Sequence, residues 1–267
     1  MSVKYKLNQF ARGFSLLEMA IVLIILGFVL GAILAPIQAQ RQQLAQSQTE
    51  NTLEIAKKAL LGYAQANGRL PCPAIAASNG LENPLGGVTC TSQLGYLPAA
   101  TLGIQPTDEN GFALDAWNNR IMYAVTQFSS GGAVTPDFTS NIADNPATPL
   151  VNETDGMNVV GIANLTPELR VCNNATGVTA TACSVLPETN YLINNAAAVI
   201  YSLGATGKLA SGGADENLNP NLPTAAKRVF VSHDVRAADA NGEFDHMVVW
   251  ISPFVLYNAM IEAGQLH

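Results

Sequence analysis

Apolar residues are spread unevenly along the chain, and their longest block lies near its start. Residues 14–35 form an apolar run of 22 positions that carries a single charge, Glu18. Wound as a helix at about 1.5 Å per residue, such a run is long enough to cross a bilayer hydrocarbon core of roughly 30 Å. An acid at the centre of such a span costs on the order of 2.5–3.5 kcal/mol and calls for a partner. Glu18 sits near one end, where the cost is smaller. Pro36 closes the run and predicts a kink or local melting, because proline removes a backbone donor.

Beyond Pro36 the pattern changes period rather than breaking. Residues 37–67 are polar and Gln-rich, with apolar positions recurring at Ala56, Ala59, Leu60 and Tyr63. That spacing marks an amphipathic helix with one stripe facing a core. Residues 14–67 therefore predict one long helix of roughly 80 Å, greasy all round in its first half. Gly68, backed by Pro71 and Pro73, predicts its end.

Further along, the elements are shorter. Residues 68–105 are rich in Gly, Asn and Pro and read as extended, turn-rich chain. Strands are predicted at 121–125, 158–162, 196–201, 228–232 and 247–251, where β-branched and aromatic residues cluster. Residues 129–155 read as loop. Ser252-Pro253 combines an N-cap with proline at the first helical position, so a last helix is predicted through Glu262, stopping at Gly264. The fold class is α+β: a long N-terminal helix packed on an antiparallel sheet head with stapled loops.

Composition narrows the function classes. Charged residues make up 12% of the chain, about half the usual share. Net charge is −7; the first 13 residues hold Lys4, Lys6 and Arg12 and no acid, so the rest carries −10. A surface that acidic argues against nucleic acid as a partner, which would demand clustered Lys and Arg. The basic start predicts a cytoplasmic N-terminus and an exported remainder. Cys72, Cys90, Cys172 and Cys183 lie in that exported part, where disulfides are permitted. Three connectivities are possible, and the nearest-neighbour pairing Cys72–Cys90 with Cys172–Cys183 is the expected one. No C-x-x-C pair is present, so a zinc ribbon is not indicated.

Gly13-Phe14-Ser15-Leu16-Leu17-Glu18, leading into the apolar run after a short basic segment, resembles the N-terminus of type IV prepilins and type II secretion pseudopilins. The resemblance implies a leader at 1–13, cleavage by prepilin peptidase between Gly13 and Phe14, and N-methylation of the new Phe14 amine. It implies that Glu18 pairs with the Phe14 amine of a neighbouring subunit during assembly. Residues 14–36 would then be the transmembrane and filament-core half of the helix, 37–67 its amphipathic half, and 68–267 the globular head. A second, weaker likeness is Asp115-Ala116-Trp117-Asn118-Asn119, continuing to Tyr123, which is similar to the segment by which pseudopilin heads enter their first strand. Asn118 stands there in place of the usual Gly, and Asn accepts φ > 0 better than most residues. Trp117 and Tyr123 read as core.

Catalytic chemistry is not indicated. Ser232-His233-Asp234 is contiguous, and adjacent strand residues point to opposite faces, so it is not a triad. His233, His246 and His267 have no metal-ligand spacing with one another or with Cys, and read as surface or turn residues. No phosphate loop, dinucleotide fingerprint or nucleophile elbow occurs. Members of the resembling family hold calcium in a loop near the C-terminal part of the sheet. Asp215, Asn217 and Asn219, joined by Asp245 or Asp234, offer the oxygen ligands calcium takes. The expected role is a structural subunit, a minor pilin or large pseudopilin, not an enzyme. Its partners would be prepilin peptidase, other pilins through the N-terminal helix, and the inner membrane, with a periplasmic head before assembly and a filament afterwards. The alternative is a membrane-anchored or filament-tip binding protein acting through its head.

Overall fold

A computed structural model describes residues 15–127, 134–142, 154–184, 190–207, 213–236 and 242–267, without the side chains of 32–39. The first helix, α1, runs Leu16–Asn67. It remains helical through Pro36, so the predicted interruption there does not end it. Two compact units divide within it, Met1–Ala45 and Gln46–His267.

In the first unit every described residue from 15 to 31 is exposed. Among the described residues no helix is long and apolar enough to cross a membrane. Phe14 and the side chains of 32–36 lie outside the described residues.

The second unit is built on the amphipathic end of α1. Leu53, Ala56, Leu60 and Ala64 are all buried, at spacings of three and four that keep one stripe inward. Gly68 ends the helix at φ +70°, its N–H bonded to the Ala64 carbonyl. The buried stripe meets Leu70, Tyr123, Val125, Ala198, Ile200, Leu256 and Met260 in one core cluster. Removing a Leu from water there contributes roughly 1.5–3 kcal/mol.

Two sheets complete the head. In the first, β1 (Leu94–Tyr96) pairs with β2 (Met122–Val125). After α2 (Ala99–Leu102), α3 (Met157–Val160), β3 (Leu169–Cys172) and β4 (Tyr191–Ala196), strand β5 (Ala198–Ser202) joins the other edge of β2. Beyond α4 (Ala214–Asn217) and β6 (Val229–Val231), β7 (Met247–Ile251) closes the order β1-β2-β5-β7, antiparallel throughout. The second sheet, β4-β3-β6, departs from the expected antiparallel head, because β3 and β6 run parallel.

Strands β2 and β5 are buried at every position, since both faces of the first sheet are covered. Tyr123, Val125, Ala198 and Ile200 face α1 and the last helix, α5 (Pro253–Glu262). Met122, Ala124, Val199 and Tyr201 face Leu169, Val171 and Phe230 of the second sheet. The layers are helix, sheet, sheet. At the end of β7, the Ser252 Oγ accepts from the Val255 N–H and Pro253 opens α5, as the Ser-Pro pair predicts.

One predicted strand is wrong. Residues 158–162 contain Val159 and Val160, yet Met157–Val160 is a single helical turn set between Gly156 and Gly161. Residues 129–155, predicted as loop, lie largely outside the described residues.

Cys72 is bonded to Cys90 and Cys172 to Cys183, with Cα–Cα distances of 5.4 and 5.3 Å. The first bridge ties the chain leaving α1 to the approach to β1, across a sequence separation of 18. In the loop-entropy model that closure stabilises by about 3 kcal/mol. Replacing Cys72 and Cys90 by Ser is therefore expected to lower the thermal midpoint by about 6–12 °C. Differential scanning fluorimetry of wild type and double variant checks this, and an unchanged midpoint would contradict it.

Candidate functional site

Two places carry chemistry beyond packing, one in each unit. The first is the start of α1. Ser15 precedes the helix and its Oγ accepts from the Glu18 N–H at 3.2 Å, while its carbonyl accepts from the Met19 N–H at 3.1 Å. Ser15-Leu16-Leu17-Glu18 is thus the S-x-x-E spacing of a capping box, with the acid in the first turn, where the helix dipole favours it. Ser15 is the residue that the sequence reading overlooked, although its spacing to Glu18 was the signal. Gly13 and Phe14 lie outside the described residues.

Glu18 is exposed, and so are its neighbours Leu16 (92%) and Leu17 (71%). An acid set on a greasy exposed helix offers one directional contact on an otherwise featureless surface. That arrangement fits docking against another apolar helix that presents a cation.

The second place gathers polar side chains where α4, the 242–246 segment and the turn after β5 meet. Asp215 is bound within the head: one carboxylate oxygen accepts from the Ala175 N–H at 2.7 Å, the other meets His233 Nε2 at 3.1 Å and Arg236 at 3.0 Å. Burial opposes its ionisation, but these donors prevail and its pKa is lowered. Asn219 exchanges two hydrogen bonds with the Val231 backbone, at 2.8 and 2.9 Å. Asp215 and Asn219, expected as calcium ligands with Asn217, are thus turned to protein partners. Asp234 lends its carbonyl to His233 Nδ1 at 2.7 Å. Ser232, His233 and Asp234 do not converge as a triad; the His233 ring goes to Asp215.

Asp245, the remaining expected ligand, has different company. One of its oxygens accepts from the Thr206 N–H at 2.8 Å and the other from the Thr206 hydroxyl at 2.9 Å. Its own N–H donates to Glu216 Oε1 at 3.0 Å. Gly204 lies against it with φ +62°, and a side chain at that position would collide with the Asp245 carboxylate. Glu216, Asp245 and His246 each offer a ligand atom, and these atoms lie within 4.8 Å of one another. All three residues are buried. Burial raises the Glu216 pKa against the Asp245 N–H bond, which lowers it, and the Asp245 carboxylate adds to the rise. Burial lowers that of His246 to about 4, against a smaller opposing pull from Asp245. The expectation that His246 is a surface or turn residue is therefore corrected: it is 6% exposed, held beside the Phe244 ring.

The Asp115 segment is structural. Asp115 accepts from the Trp117 and Asn119 N–H groups at 2.9 and 2.8 Å and from the Ser202 hydroxyl at 2.6 Å, which fixes the turn into β2. Asn118 has φ +63°. Tyr123 is fully buried and its hydroxyl donates to the Pro71 carbonyl.

No curated protein and no solved structure matches this chain. A protein-family model does, over residues 9–34, and its description is the prokaryotic N-terminal methylation motif. The match takes in Gly13, Phe14, the Ser15 cap and Glu18. The chain carries the N-terminal signature of type IV pilins and pseudopilins, a family of structural rather than enzymatic proteins.

Proposed function

We propose that the chain is a minor pilin or pseudopilin, a structural subunit of a type IV pilus-like filament. In this reading prepilin peptidase cuts between Gly13 and Phe14 and methylates the Phe14 amine. The protein then waits in the inner membrane with its head in the periplasm, and enters the filament by its N-terminal helix. The observation that carries this is the methylation motif at 9–34, continuous with an exposed apolar helix that holds one acid. Two disulfides in the head accord with an exported compartment.

Sheared filaments labelled with an antibody to the head test it. Sparse labelling along the filament, with a mature N-terminus at methylated Phe14 by mass spectrometry, is the expected result. Label at tips alone would favour an adhesive role for the head. Protein retained wholly in the membrane of filament-bearing cells, still starting at Met1, would refute the proposal.

A further inference from the structure

Glu216, Asp245 and His246 form a cluster whose chemistry is incomplete within the protein. Two carboxylates lie side by side at 6% and 7% exposure, and neither pairs with Lys or Arg among the described residues. Two adjacent buried carboxylates repel each other and favour a cation or a proton held between them. A shared proton would satisfy the acids but would leave the histidine unexplained. His246 is 6% exposed, one of its ring nitrogens lies within 4.8 Å of both carboxylate ligand atoms, and its Nδ1 is buried with no hydrogen-bond partner among the described residues. An orphaned buried nitrogen carries a penalty that a metal bond would remove.

We propose that Glu216, Asp245 and His246 bind one divalent transition ion of the zinc class. Imidazole nitrogen with two carboxylate oxygens is a borderline donor set, suited to zinc and its neighbours; calcium and magnesium take oxygen alone. Tetrahedral zinc with bonds of about 2.1 Å places its ligand atoms about 3.4 Å apart. The cluster would thus contract by at most about 1.4 Å on loading, a small movement for side chains on a one-turn helix and a loop. Thr206 supplies outer support: its N–H and hydroxyl fix both Asp245 oxygens, and the Asp245 N–H fixes Glu216. His246 also lines an open cleft of about 420 Å³ beside Glu50, Glu54 and His233. Bound metal would pin α4 to the entry of β7.

Tag-free full-length chain in detergent, stripped with chelator and shown to contain no free thiol, is dialysed against zinc and its metal content measured. One zinc per chain is expected, with the thermal midpoint raised by about 5–10 °C at a hundredfold excess over Kd. Cobalt should give a visible absorption spectrum that changes in His246→Gln. Glu216→Gln and His246→Gln are each expected to weaken zinc binding at least tenfold. The two variants remove different ligands, so one that fails to fold leaves the other as the test. Absence of stoichiometric zinc, retention of wild-type affinity in a folded variant, or a response to calcium but not to zinc would overturn the proposal.

Discussion

Glu18→Ala is expected to leave the head folded and to reduce the amount of protein in sheared filaments by tenfold or more. Cutting after Gly13 would create an α-amine on Phe14, with an unperturbed pKa of about 7.7–8.0, so it is mostly cationic near neutral pH. Packed among apolar helices, that cation needs an anion, and removing one member of a buried pair costs about 3–5 kcal/mol. Glu18 also has a local role, because its side chain stands at the fourth position of the Ser15 capping box, in the first turn of α1. A lost cap is worth only about 1 kcal/mol. Glu18→Gln separates the two effects: it keeps the S-x-x-Q form of the capping box and removes the charge. If pairing governs assembly, Gln fails as Ala does; if the cap governs it, Gln assembles. The measurement is a quantitative immunoblot of sheared filaments against membranes. Wild-type incorporation of both variants would sink the ion-pair account.

The features that could be read in advance were those written in local periodicity. Ala56 and Leu60 of the predicted stripe are buried while Ala59 and Tyr63 are half-buried, and the Ser252-Pro253 start of α5 and the β-branched run of β7 announce themselves within a few residues. What stayed hidden depended on distant chain. Strand β1 contains Gly95, a poor strand residue, placed where the Ala74 carbonyl comes too close for any side chain. Strand β4 alternates half-exposed and exposed positions, as a sheet edge does, and its Asn194 and Asn195 disguise it. The parallel pairing of β3 with β6 joins residues 59 apart and leaves no local trace. The valines of 159–160 misled in the opposite sense, because the flanking glycines at 156 and 161 decide for a helical turn. The sites divide in the same way. Ser15 and Glu18 are three residues apart, whereas Glu216 and Asp245 are 29 apart and meet only through the fold.

Arg69→Met is expected to destabilise the head by about 3–5 kcal/mol at neutral pH, the largest effect among side chains remote from the N-terminus. Arg69 and Glu82 are 4% and 5% exposed and are bonded twice, Nη1 to Oε2 and Nη2 to Oε1, both at 2.7 Å. The Tyr63 hydroxyl donates to Oε1, while the N–H groups of Cys72 and Gly86 complete the carboxylate's shell. The pair therefore ties the end of α1 to the disulfide-closed loop. Burial works against the charged carboxylate, yet the bonds and charge of Arg69 outweigh it, and the Glu82 pKa falls below its ordinary value. A depressed folded-state pKa contributes stability that is present above the unfolded value, ordinarily 4.5, and is lost as pH drops through the folded value. Without Arg69 the same burial would raise the Glu82 pKa, so acid would protonate and relieve the stranded carboxylate. Urea unfolding in detergent should then show the deficit of Arg69→Met shrinking as pH falls from 7 toward 4. Arg69→Met with Glu82→Leu should recover part of the loss at pH 7, since no charge is left behind. A deficit below about 1 kcal/mol, or one that does not change with pH, would show that the pair is no more than a surface-strength contact.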